Sequence, residues 1–498
     1  MKRYFKILFA AAVLSCFGFA SAVSYAQDAE YQLLRRQYTV NRDGTIDIRF
    51  RKEIKLLRNR AITAYADKGE TFILYNPTLD RLTINESYTV RKDGTRVQTP
   101  QNAFIDQLPS QCADCGRYNG LRERVVVHTA LEYDCIVVLD YTINRRTALL
   151  DETVVFAEDC PVKRYELIVD APDGSLTVST GNEKSLKQLK DGHALHLVGK
   201  NLPQRVIENY QPNERTLYPY AHFAYGSDPY KTIEMPLEAL PEADHVLGEL
   251  YEKDPLTYAT NIRDYVADNI HTTDFPLSLI NYEVAPAKTT FLSNCGTSRD
   301  KEWLTVCMLR QAGFEAEDQQ SNGHITFTVK ENGSELTYML STHNKRPARL
   351  EGAAVDEQRT ISIDRTLPWT GQEMGGGYSQ MTLPTEEGSI AIDPAWLTQE
   401  RQSPIKVRNC NEHYHYTITL PQATRLVQRE CLCYTKKGVG SICITVRQQA
   451  DGTLDVVREL NIDVADGVVS TKQYKAFRQL MQDWNSHKYV TIKSVKSN

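Results

Sequence analysis

The chain has 498 residues, 41% of them hydrophobic and 24% charged, with 58 Lys and Arg against 63 Asp and Glu for a formal net charge of −5. At ~100–200 residues per domain this is room for about three domains with sizeable cores. The weakly negative balance, with basic residues spread along the chain, excludes a general attraction for nucleic acid or anionic membrane.

Lys2, Arg3 and Lys6 precede an apolar run from Leu8 to Ala20 and small residues ending at Ser24-Tyr25-Ala26. That is the pattern of a bacterial export signal, with cleavage expected after Ala26. Val13-Leu14-Ser15-Cys16 is a poor lipoprotein motif, so a periplasmic or secreted chain is expected in preference to one anchored at Cys16. No later run approaches the ~18–20 apolar residues of a membrane span. Eleven cysteines less Cys16 leave ten, an even number that permits disulfides in an oxidising compartment but is too small for a disulfide-built scaffold.

Residues 27–212 read as an N-terminal β-sandwich region. Apolar and polar positions alternate in Ile46-Asp47-Ile48-Arg49-Phe50 and Val125-Val126-Val127-His128-Thr129. Asn41-Arg42-Asp43-Gly44 and Lys92-Asp93-Gly94 are hairpin turns with glycine at the position that needs a positive φ. Further strands are expected over Tyr165–Ala171, Leu176–Val178 and Ala194–Val198. Prolines and tyrosines then crowd the chain, and 213–240 reads as a linker.

From 241 the period becomes helical. Pro255 suits a first helical turn, and Tyr258, Ile262, Tyr265, Val266 and Ile270 line one face of a helix ending near His271. Phe291 to Glu317 reads as a loop turning into a second helix. Thr297 with Asp300 three residues on approaches a capping box, and Ser298 is a capping candidate through its hydroxyl. Trp303, Leu304, Cys307, Met308 and Ala312 recur at helical spacing, and Gly313 stands where a C-cap belongs. Two alternating runs joined by Glu331-Asn332-Gly333 predict an antiparallel hairpin over 323–342.

Residues 351–400 read as a loop-rich connection with Gly375-Gly376-Gly377 a flexible point. Over 401–498 strands return at Tyr414–Leu420, Cys443–Arg447 and Leu454–Glu459, closed by a helix from about Thr471 to Trp484.

Several of these runs carry a resemblance. Phe291–Glu317 resembles the cysteine-bearing motif of transglutaminase-like proteins, Gly-Asp-Cys-x-Asp-Lys leading into an apolar helix. Aligned on the Asp-Lys pair, that motif falls on Gly296, Thr297, Ser298, Arg299, Asp300 and Lys301. Tyr75-Asn76-Pro77, Tyr88-Thr89-Val90, Asn102-Ala103-Phe104 and Leu121-Arg122-Glu123 resemble a β-sandwich domain of unknown function that commonly precedes such a core in exported proteins of Gram-negative bacteria. The tail resembles the C-terminal β domain of the same proteins. The implied fold is multidomain, β-rich α+β: an N-terminal β-sandwich region, a transglutaminase-like (papain-like) α+β core over 241–350, and a C-terminal β domain.

The family's chemistry needs a thiolate, a histidine on the first following strand and an aspartate on the second. Here Ser298 stands at the cysteine position, His324 at the histidine position and Ser341 at the aspartate position. The expected function is therefore binding or scaffolding by a non-catalytic core, with an unidentified protein, peptide or glycan partner in the cell envelope. The alternative is a cysteine acyl-transferase or peptidase using Cys295 and His324. Cys307 lies on the apolar helix face and reads as core. Cys112-x-x-Cys115, in an Asp/Gly/Asn loop, reads as a local disulfide, with redox or metal use the alternative. Cys410, His413, His415, Cys431 and Cys433 do not match a zinc spacing. No metal and no cofactor is expected.

Overall fold

The structure, a computed structural model, describes residues 28–68, 72–147, 149–172, 175–226, 239–319, 324–331, 334–340, 348–349, 359–384, 400–427 and 431–496. The expected export signal, Cys16 and Ser341 lie outside them. The chain divides into two compact units, Met1–Arg205 with Glu214–Val355, and Val206–Asn213 with Asp356–Asn498. It is strand-rich and built from many sheets. Among the described residues no helix is long and apolar enough to cross a membrane.

The first unit opens with an eight-stranded sheet whose order runs Leu186–Gln188, Leu195–Leu202, Val162–Asp170, Ala29–Val40, Ile46–Leu56, Ile136–Arg145, Asp80–Val90, Arg96–Gln98. Gly44 and Gly94 take φ of +82° and +86° in the two turns where glycine was expected to allow it. The sheet is mixed, because Ala29–Val40 pairs in parallel with Val162–Asp170. A parallel partner needs a long crossover, so adjacent hairpin turns in the sequence could not announce it.

Tyr31, Leu34, Tyr38, Ile46, Ile54, Tyr165 and Leu167 point from this sheet into one apolar core with Val154, Ala221 and Phe223. The last three come from a second, three-stranded sheet of Thr177–Gly181, Tyr220–Tyr225 and Leu150–Val155. Tyr220–Tyr225 is thus a central strand inside the stretch read as a linker. Ala221 and Phe223 are fully buried, the period-2 signal that the surrounding prolines and tyrosines obscured.

His128, just past the strand Arg122–Val126, has both ring nitrogens closed off from solvent without a hydrogen-bond partner. Burial first, and the Lys52 ammonium second, push its pKa down to about 3. An unfolded histidine titrates near ~6.5, so as pH falls below that value the unfolded chain takes up a proton that the folded chain refuses. Stability is complete above ~6.5 and declines towards 3. By pH ~4.5, two units at ~1.4 kcal/mol each give a loss of about 2–3 kcal/mol from this ring alone. A His128→Leu chain should lose that much less stability than wild type between neutral pH and pH ~4.5 in urea unfolding. Parallel curves for the two chains would sink the burial argument.

The later part of the first unit packs helices on a small sheet. Asp254 caps Pro255–Asn269 by accepting from the Thr257 N–H, with the proline in the first turn. Tyr258, Ile262 and Val266 bury one face of that helix. Ser298–Gln311 is buried from Trp303 through Leu309 on every side, as befits a central helix. Its C-terminal turn closes over Gly313, at φ +94°, with the Phe314 N–H donating to Leu309 O. The expected hairpin forms from His324–Glu331 and Ser334–Leu340, flanked by Glu315–Gln319 and Ala348–Arg349 in one antiparallel sheet. Ile325, Phe327, Val329, Tyr338 and Leu340 join this sheet to both helices in one core.

In the second unit a five-stranded sheet is ordered Arg359–Pro368, Cys410–Thr419, Thr453–Ile462, Gly440–Gln448, Leu432–Lys436. Helix Thr471–Trp484 buries Tyr474, Phe477, Leu480, Met481 and Trp484, into the core that holds Tyr414, Tyr416, Ile442 and Leu460 of this sheet. Arg359–Pro368 is a ten-residue strand in a stretch read as loop-rich, paired in parallel with Cys410–Thr419. Gly375-Gly376-Gly377 is a hairpin turn with three positive φ angles. Cys433 and Cys443 face each other across a hairpin and are disulfide-bonded.

Candidate functional site

Phe291 belongs to a short helix, Ala287–Ser293, that precedes the motif and ends on Asn294 in the left-handed conformation. The chain then runs through Cys295–Gly296, which pairs in parallel with His271–Thr272. Gly296 has to be glycine: a Cβ there would lie 2.8 Å from Asp300 Cβ and 3.0 Å from Thr290 Cγ2.

Thr297 is the N-cap of Ser298–Gln311, its hydroxyl accepting from the Asp300 N–H while the Asp300 carboxylate accepts from the Thr297 N–H. The capping hydroxyl is therefore Thr297, not Ser298. Ser298 is the first helical residue and its side chain is exposed. A capping box needs extended backbone at the cap and, three residues on, an N–H to donate to the cap and a side-chain acceptor for the cap's own N–H; Thr297, at φ −69° and ψ 168° with Asp300 following, has them.

Asp300 is fully buried and does more than close the cap. Its carboxylate accepts the Thr297 N–H at 2.7 Å, the Ala285 N–H at 2.6 Å and the Tyr118 hydroxyl at 2.5 Å. Burial and the adjacent carboxylate both push the Tyr118 phenol up, which keeps it a donor. Lys301 turns the other way. Its ammonium donates to Ile270 O at 2.6 Å, Ala267 O at 3.3 Å and Thr272 Oγ1 at 3.0 Å, closing the carbonyl end of Pro255–Asn269. Both members of the Asp-Lys pair thus hold the local structure together.

Tyr118 comes from a loop of the preceding β region, between Phe104–Gln107 and Arg122–Val126. That loop contains two short 3-10 turns, Ser110–Cys112 and Gly116–Tyr118. Cys112, Cys115, Tyr118 and Leu121 form one apolar cluster with Phe275, Leu279 and Cys295, and the Tyr118 and Phe275 rings meet edge to face at 4.9 Å. Thr273 donates its hydroxyl to Gln111 O at 2.6 Å and its N–H to Gly296 O at 3.0 Å. Cys115 is disulfide-bonded to Cys295, 180 residues away. The expected pairing of Cys112 with Cys115 is not made, and Cys112 is a free, buried thiol.

Cys295 is thus 4% exposed with its sulfur committed to Cys115. His324 opens the strand His324–Glu331 opposite Gln319. Cys307 is buried in the helical core. Tyr118, Thr273 and Cys115 were not singled out as partners of the motif, since a contact made across the fold leaves no local pattern.

The five residues weighed for zinc are separately engaged or apart. Cys433 is bonded to Cys443, His413 contacts Glu459, His415 lies between Asp364 and Asp455, Cys410 is buried and Cys431 exposed. Among the described residues Asp191, His193 and His196 place donor atoms within 4.8 Å of one another. Donors on a tetrahedral zinc with ~2.0–2.1 Å bonds stand about 3.3–3.5 Å apart. The two imidazoles already contact carboxylates, His196 that of Asp191 at 2.6 Å and His193 that of Asp170 at 2.9 Å.

Residues 42–202 match the domain of unknown function with a solved structure DUF3857, and residues 388–492 match another, DUF3858. The fold is similar to that of a proposed protease from Parabacteroides distasonis, with a TM-score of 0.66 and 23% identity over 94% of this chain and 100% of that one. An M1 zinc metallopeptidase from Deinococcus radiodurans aligns over 49% of this chain and 55% of its own at 9% identity, with a TM-score of 0.19 that carries no argument. No curated protein sequence matches the chain.

Proposed function

We propose that the chain is an exported envelope protein, periplasmic or secreted, whose transglutaminase-like core over residues 241–350 acts by binding or scaffolding and not by turnover. The observation that carries this reading is the Cys115–Cys295 disulfide. It occupies the one thiol that the motif segment has to offer ahead of its helix. The hydroxyls beside it supply no substitute: Thr297 is consumed as the cap, and Ser298 is exposed at the first helical residue. A serine without a positioned base is a poor nucleophile at neutral pH. Asp300, two residues on, is fully buried and accepts three hydrogen bonds, none of them from an imidazole.

The partner in this reading is a protein, peptide or glycan of the envelope, bound by the core or by the β modules on either side. Fractionating cells between cytoplasm, periplasm and medium tests the location, and a cytoplasmic chain that keeps residues 1–26 would refute export. The second reading, a cysteine acyl-transferase or peptidase using Cys295 and His324, draws support from the fold shared with a proposed protease. It requires Cys295 to be freed first.

A further inference from the structure

A third sulfur shares the buried cluster of the Cys115–Cys295 bond. Cys112 is fully buried in the same apolar cluster as the two bonded cysteines. It also shares a turn with one of them, closed by the Cys115 N–H donating to Cys112 O at 3.1 Å. Its thiol sits 3.9 Å from the Thr273 hydroxyl, beside the backbone of the motif segment, since the Thr273 N–H holds Gly296 O. The turn brings Cys112 to Cys115 by a four-residue closure. Cys295 reaches Cys115 only while the loop is docked on the motif.

We propose that Cys112, Cys115 and Cys295 form an internal thiol–disulfide exchange site, in which Cys112 takes Cys115 from Cys295 and so unclamps the 109–121 loop from the motif segment. The step balances without a co-reactant. Cys112 gives its proton to solvent, its thiolate attacks Cys115 Sγ, the Cys112–Cys115 bond forms and the Cys115–Cys295 bond breaks. Cys295 leaves with the electron pair and takes up a proton, so one thiol and one disulfide become one disulfide and one thiol on different residues, with no net oxidation.

Burial raises the Cys112 thiol above its ordinary value, and the attacking species is the thiolate. Exchange is therefore slow while the loop is docked and is gated by the loop lifting. What holds the loop down is named above: the Tyr118–Asp300 hydrogen bond, the Thr273–Gln111 hydrogen bond and the Tyr118–Phe275 ring contact. The outcome is a chain with a local Cys112–Cys115 ring and Cys295 as a free thiol. The proposal goes beyond the binding reading and stands whether or not the core turns over a substrate.

The test is disulfide mapping of the full mature chain, acid-quenched, alkylated and digested, over urea concentrations below global unfolding. The expected result is two interconverting species, Cys115–Cys295 with Cys112 alkylated and Cys112–Cys115 with Cys295 alkylated, the second rising with urea and independent of protein concentration. In a Cys112→Ser chain, alkylation of Cys295 should fall by about tenfold or more, because only an external thiol can then release it. Absence of a Cys112–Cys115 peptide at every urea concentration overturns the proposal, as does equal Cys295 labelling in the two chains. Should the serine variant not fold, mapping of the wild-type chain decides alone. Neither readout depends on whether the core binds or turns over anything, so failure here leaves the functional reading to its own experiment.

Discussion

Replacing Asp300 with alanine is expected to lower the stability of the first unit by about 3–5 kcal/mol. The carboxylate is fully buried and is the acceptor for two backbone N–H groups, from Ala285 and Thr297, and for the Tyr118 hydroxyl. Alanine strands all three donors where water does not replace the lost acceptor. Each buried unsatisfied donor costs about 1–3 kcal/mol, and losing half of a capping box costs about 0.5–2 kcal/mol more. The terms overlap, because one shift of the helix N-terminus relieves several of them, which is why the expected total is below their sum. Asparagine keeps the shape but turns an amide N–H towards donors, so Asp300→Asn should lie between wild type and alanine at about 2–3 kcal/mol. Denaturant unfolding followed by a probe in the first unit measures both. A loss under about 1 kcal/mol for alanine would mean that the three hydrogen bonds are not made together.

Removing the Cys115–Cys295 bond in a Cys115→Ser, Cys295→Ser chain should cost about 2–5 kcal/mol. The bond closes a loop with a sequence separation of 180, and chain-entropy estimates for long loops reach about 5 kcal/mol. The range extends below that figure because the unfolded reference retains structure. The effect belongs to the first unit, so the unfolding transition of the second, followed at Trp484 in its core, should not move. Equal unfolding midpoints for oxidised wild type and the double variant would place the stabilisation elsewhere. The two losses should also be less than additive when combined with Asp300→Ala, because Tyr118 and Cys115 anchor the same loop.

Local order was legible where one period ran uninterrupted. The helices over Pro255–Asn269, Ser298–Gln311 and Thr471–Trp484 and the hairpin of His324–Glu331 with Ser334–Leu340 follow from apolar spacing with capping residues at the ends. What was hidden is what pairs across distance. Ala29–Val40 beside Val162–Asp170 and Arg359–Pro368 beside Cys410–Thr419 are both parallel pairs, for which the chain carries no turn signal.

The candidate site divides in the same way. Thr297 and Asp300 at the helix start were readable because a capping box is a four-residue pattern, although the cap sits one residue before Ser298. The pairing of Cys115 was not readable. Spacing favours the near neighbour Cys112, while docking of the loop on the motif segment decides for Cys295. A burial-driven choice of that kind is a property of the tertiary structure alone.

The central proposal is that the motif segment, which resembles that of a thiol enzyme, does not perform its reaction. It is tested most directly by assaying amide and ester hydrolysis and acyl transfer to an amine with the purified chain, alongside a Cys115→Ser chain in which Cys295 is free. The account predicts no turnover above the uncatalysed rate in either chain, and no change on adding Cys295→Ala. Turnover in the Cys115→Ser chain that disappears with Cys295→Ala would contradict it.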